Sequence, residues 1–160
     1  MVKKIIAIVL IVVSIASCKS NNGFIYSQDF VASEKKLMPM IESTETKAGE
    51  YIALQQYDSM AIVSEKMENA INDVIKDAKA KPAADAKDGE KFKVDVIKYF
   101  EFLKSVYASY KDFGNAATDE ARQEEARKMQ TLVSKKTAVV KTIQTAQQDF
   151  AKANGFKIEQ

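Results

Sequence analysis

Apolar residues recur along most of this chain in steps of three and four, the spacing that lines one face of an α-helix. From Phe24 to about Lys47 the stripe is Phe30, Leu37, Ile41 and Ala48. Pro39 lies inside it, where a missing N–H and a ring clash predict a bend, not an end. Ala48-Gly49 is the preferred first turn and Asp58-Ser59, where either residue suits an N-cap, is its rival. A second helix then runs to about Ala80, carrying Ile52, Met60, Val63, Met67, Ile71, Val74 and Ala78.

The segment from Ala80 to Gly89 reads as a loop, with Pro82 stopping one helix and Asp88 placed to cap the next. A third helix, from about Glu90 to Phe113, carries Phe92, Val96, Tyr99, Leu103, Val106, Tyr110 and Phe113. Phe100, Phe102 and Tyr107 widen that stripe to an arc of roughly 160°, more than a two-helix seam needs. Gly114-Asn115 ends it, and Thr118 with Asp119 and Glu120 opens a fourth helix with acids at its positive end. That helix bears Met129, Leu132, Val133, Val139, Val140, Ile143 and Phe150, and should end at Asn154-Gly155 before a Phe156-Lys157-Ile158 tail. The expected architecture is all-α: an up-down-up-down antiparallel four-helix bundle over residues 24–158.

Polar residues interrupt two of the stripes. Glu34 and Glu45 lie near the middle of the first, Lys136 and Gln147 at the centre of the fourth. Antiparallel neighbours keep a constant sum of residue numbers, and Glu34 with Gln147 and Glu45 with Lys136 share one. That register predicts a Glu45–Lys136 ion pair and a Glu34–Gln147 hydrogen bond that fix the alignment. The alternatives are that Lys136 snorkels to the bundle edge, or that this is a ligand-facing polar spot. Phe102 and Tyr107, at opposite edges of the aromatic arc, are candidates to line a groove for a partner or an apolar ligand; core positions are the alternative.

The amino-terminal residues have a different pattern. Lys3 and Lys4 precede an unbroken apolar run from Ile5 to Val13, and small residues lead into Cys18, the one cysteine of the chain. Even extended to Ala16 the run is 12 residues, where roughly 20 are needed to cross a bilayer. This is the layout of an export signal. Residues 1–17 are therefore expected to be a cleaved signal peptide and residues 18–23 to be Cys18 with a polar tether, an uncleaved anchor being the alternative. Whether the signal is a conventional secretory one or a lipoprotein one turns on the residues around Cys18.

Ile15, Ala16, Ser17 and Cys18 resemble the bacterial lipobox, with an aliphatic residue at −3 and small residues before the cysteine. The resemblance implies diacylglyceryl transfer to the Cys18 thiol, cleavage before it by signal peptidase II, and acylation of the new amine. Lys19 stands where an Asp would retain such a protein at the inner membrane, which is similar to lipoproteins sent to the outer membrane. As a whole, residues 18–160 resemble a family of small helical bacterial surface lipoproteins. Tyr26-Ser-Gln-Asp-Phe30, Phe92-Lys-Val-Asp-Val-Ile-Lys-Tyr-Phe100 and Gln147-Gln-Asp-Phe150-Ala-Lys-Ala-Asn-Gly155-Phe156 carry that likeness. It brings no catalytic motif, and Cys18 is the residue it implies to be functional.

Composition narrows the chemistry further. Lys+Arg 24 against Asp+Glu 22 gives a formal +2; removal of Lys3 and Lys4 with the signal leaves 22 of each. A neutral mature protein gives no reason to expect nucleic acid as a partner. Histidine is absent, which removes the usual neutral-pH proton shuttle and the commonest transition-metal ligand. The acids Glu120, Glu124 and Glu125, and Glu65, Glu68 and Asp73, sit among Lys and Arg as a solvated face. No Gly-rich phosphate loop occurs, and a Ser–Lys dyad is left open. The expected function is that of a lipid-anchored cell-envelope protein acting as a binding or scaffolding element, without catalysis and without a cofactor. Its partners would be the membrane, through the lipid on Cys18, and an envelope protein. The alternative is a carrier that holds a small apolar ligand between the helices, which needs an enclosed cavity of roughly 300 Å³ or more.

Overall fold

The computed structural model describes residues 22–83 and 85–158. Within them are four helices: α1 Asn22–Ala53, α2 Tyr57–Ala80, α3 Gly89–Asn115 and α4 Asp119–Ala153. They form an all-α up-down-up-down bundle, and no strand occurs among the described residues. The signal-peptide and lipobox residues, Cys18 included, lie outside the described residues.

Pro39 lies within α1, which continues past it. Gly49 also lies inside α1, so the first turn is not there. A Cβ on Gly49 would meet nothing within 4 Å, so its cost is a propensity term of about 1 kcal/mol. Burial of Ala48 on one side and packing of Tyr51 and Ile52 on the other outweigh it. The chain instead turns at Leu54 to Gln56, nearer the rival position. The Gln56 N–H donates to the Tyr51 carbonyl at 2.8 Å and the Gln55 N–H to Ile52 at 3.2 Å. That is a Schellman cap with Gln55, at φ 56°, in the left-handed position that usually takes glycine. Neither Asp58 nor Ser59 caps α2; its N-cap is Gln56, with no side-chain hydrogen bond.

The other ends follow residue chemistry more closely. The Thr118 side chain accepts from the Ala121 N–H at 3.2 Å, with Asp119 and Glu120 in the first turn of α4. Gly155, at φ 71°, closes α4, and the Phe156 N–H donates to the Ala151 carbonyl. Asp88 occupies the N-cap position of α3, but its backbone is left-handed and not extended as an N-cap usually is, and no side-chain cap forms.

The tightest helix pair is α2 with α3, followed by α3 with α4; α1 meets α4 far more thinly. Gly114 marks the closest approach of α2 and α3. A Cβ there would stand 2.6 Å from the Tyr57 carbonyl oxygen and 2.8 Å from the Ala61 nitrogen. Polar bridges run along the same seam: Lys111 to Glu68 at 2.6 Å, Lys104 to Asn72 at 3.0 Å and Lys79 to Glu101 at 3.2 Å.

The two ends of the bundle are built differently. At the lower end, where α1 begins and α4 stops, aromatic rings tie three helices and the tail together. Phe92 stacks on Phe150 at 4.5 Å, Tyr26 and Phe30 meet them edge-on, and Phe156 packs against Phe24 and Phe150. Asn154 brackets the Lys87 backbone, accepting from its N–H and donating to its carbonyl, both at 3.0 Å. At the upper end the α1–α2 and α3–α4 turns meet. There the Arg122 guanidinium lies 4.3 Å from the Tyr57 ring and donates to the Ala116 carbonyl.

Candidate functional site

The thin α1–α4 seam collects the polar residues singled out in the sequence. Glu34, Tyr99 and Gln147 border one void of about 10 Å³ between α1, α3 and α4. Glu34 and Gln147 are thus neighbours, but the predicted hydrogen bond between them is not made. The Gln147 Nε2 is buried without a partner, and the polar group acting on Glu34 is the Tyr99 hydroxyl of α3. Burial pushes the Glu34 carboxyl up to about 7, with Tyr99 drawing it partly back. Burial holds the Tyr99 phenol well above its ordinary range, and the neighbouring Glu34 carboxylate adds to the effect.

About three turns further up, Glu45 takes a similar position. Burial raises its pKa, while Tyr107, Tyr110 and Lys136 pull the other way. The Tyr110 hydroxyl donates to Glu45 Oε2 over a long 3.4 Å, whereas Glu45 Oε1 and the Tyr107 hydroxyl make no well-formed hydrogen bond. Lys136 is near enough to favour the charged form of Glu45, and partial burial lowers its own pKa. The two do not form the predicted ion pair within 4 Å. Register between α1 and α4 takes no account of α3, whose tyrosines engage both carboxylates. Lys136 stays half-exposed at the bundle edge.

The aromatic pair does not line a groove. Tyr107 is 0% exposed and belongs to the core, and Phe102 is half-buried against it. The wide aromatic arc of α3 is explained by its neighbours: α3 packs closely on both α2 and α4, so two sides of it are covered.

Missed by sequence reasoning is the asymmetry of α4. All its buried residues, Ile143, Gln147, Phe150 and Ala151, lie in the last third. From Asp119 to Thr142 none is buried. Met129, Leu132, Val139 and Val140 are only partly covered, and Val133 is 40% exposed. The apolar stripe of α4 thus continues along a stretch that the bundle covers only in part. Its length was readable in the sequence; the lack of cover was not.

A second feature is an open cleft of about 320 Å³ between α1 and α2, on the other flank of α1. A larger depression of about 580 Å³ at the upper end is polar, and its Arg122 is already engaged by Ala116, Asp119 and Tyr57. Among the described residues no group of three acids or other donors is placed to hold a metal ion. Nor is any described helix long and apolar enough to cross a membrane. No family model, no curated protein and no solved structure matches the chain.

Proposed function

We propose that this chain is a lipid-anchored protein of the bacterial cell envelope, held by acyl groups on Cys18 at the outer membrane, that works by binding a protein partner and not by catalysis. The observation that carries the binding half is the half-covered apolar stripe of α4 from Met129 to Val140, with Val133 exposed on it. Burying such a stripe is favourable by about 25 cal/mol for each Å² of apolar surface. Such a ridge suits one further amphipathic helix laid against it. Its position supports the same reading. Cys18 lies four residues before α1 in sequence, so the tether joins the lower end, while the free half of α4 is at the upper end. A membrane-held bundle would present that half outward.

The anchoring half rests on Ile15-Ala16-Ser17-Cys18 after a short apolar run, and on the likeness to small helical surface lipoproteins. The carrier reading has less support. The void at Glu34 has room for about one water molecule, and the cleft between α1 and α2 is open and not enclosed. Radiolabelled palmitate should enter the wild type and not Cys18→Ala. Crosslinking in intact envelopes should capture a protein on the wild type and lose it with Leu132→Glu and Val133→Glu. Capture that survives both substitutions, or label in Cys18→Ala, would overturn the corresponding half.

A further inference from the structure

The cleft between α1 and α2 has the makings of a small-molecule site unrelated to the α4 stripe. Small residues open it: Ala32 and Ser33 on α1 face Ala78 on α2, where larger side chains would fill the gap between the helices. Phe30, Val96 and Phe100 form an apolar floor. An ion pair between Asp29 and Lys81 spans the lower end and neutralises both. That leaves Lys36 on the α1 wall and Asp77 on the α2 wall, neither engaged in an ion pair among the described residues. Ser33 stands opposite Asp77 in the Asp29–Lys81 register, and Lys36 lies about one turn, roughly 5 Å, further along the cleft. Asp77 is also in the last turn of α2, where the helix dipole adds negative potential.

We propose that this cleft binds a small zwitterion with an apolar side group, of the amino-acid class. The ammonium would sit at Asp77 beside the α2 carboxyl end, the carboxylate at Lys36, and the apolar group over Phe30 and Val96. The volume is at the small end of ligand pockets, which suits a single amino acid or a dipeptide. Opposite charges on the two walls favour a zwitterion over ligands carrying a single charge, since such a ligand satisfies only one wall. The inference does not rest on the α4 reading, and neither fails with the other.

The test is ¹⁵N-edited NMR titration of the full chain in detergent micelles with L-phenylalanine. Saturable shifts are expected at Ala32, Ser33, Ala78 and Phe100, with a dissociation constant of about 1 mM or below. Lys36→Ala and Asp77→Asn, both at exposed positions, should each weaken binding by about tenfold. N-acetyl-L-phenylalanine and L-phenylalaninamide, each lacking one charge, should weaken by a similar factor. Ala78→Leu should abolish the shifts while helical circular dichroism is retained. Absence of shifts at those four amides at roughly 20 mM, well above the expected constant, would overturn the proposal. Binding of either singly charged analogue as tightly as L-phenylalanine would also overturn it. Tighter binding of glycerophosphoethanolamine than of L-phenylalanine would assign the cleft to a lipid headgroup instead.

Discussion

Replacing Glu34 by glutamine should make the protein more stable at neutral and alkaline pH, and leave it unchanged in acid. Glu34 is 8% exposed, and its carboxyl is raised from 4.5 to about 7 mainly by burial. The folded protein therefore keeps a proton on Glu34 over an interval in which the unfolded chain has released it. Stability linked to this group is full below about pH 4.5 and is lost as pH rises through about 7. The difference between those values, at about 1.36 kcal/mol for each pH unit, corresponds to roughly 3 kcal/mol in all. An amide has the shape of the neutral acid and never ionises. Glu34→Gln should thus gain up to about 3 kcal/mol at pH 8 or so and close to nothing near pH 4.5, which in a domain of this size is a rise of roughly 10 °C in Tm at the higher pH. Urea unfolding of wild type and variant across that range measures it. Equal stability at pH 8, or a gain of the same size at both ends, would refute the argument that a desolvated carboxylate strains the α1–α4 seam.

Other consequences are independent of that seam. Gly114→Ala sets a methyl against the Tyr57 carbonyl and the Ala61 backbone, neither of which can swing away, and should destabilise by about 1–3 kcal/mol in chemical denaturation. Gln55→Gly relieves a left-handed residue in the first turn and should stabilise by about 1 kcal/mol, with a matching rise in the denaturation midpoint. Phe150→Ala removes the ring stacked on Phe92 and edge-on to Tyr26 and Phe156; a loss of about 3–5 kcal/mol is expected, accompanied by faster amide exchange in the Phe156 tail.

The helices were legible wherever a stop signal has its usual chemistry. Pro82, Gly114-Asn115, Thr118 and Gly155 each mark an end that the structure shows. The first turn was not legible, because a Schellman cap is made there with glutamine. Gly49, six residues earlier, looked like the breaker while standing on an open helix face. The candidate site was half legible. Patterning brought Glu34 near Gln147 and Glu45 near Lys136, because antiparallel helices keep register. It could not show that Tyr99, Tyr107 and Tyr110 of α3 come between them, since pairing two helices leaves the third out of account. Period alone also cannot tell a covered apolar stripe from an uncovered one, which is why the free half of α4 and the cleft opened by Ala32, Ser33 and Ala78 were missed.

The most direct test of a membrane-held bundle with an occupied α4 face is thiol labelling of Val133→Cys in intact envelopes and in the purified full chain. With Cys18 carrying lipid, the new thiol would be the single reactive one in the chain. The account predicts that the maleimide reacts readily at position 133 in the purified protein and is blocked in envelopes. Ile62→Cys on α2, at a site 54% exposed, should label in both. Equal labelling of position 133 in the two settings would contradict the account.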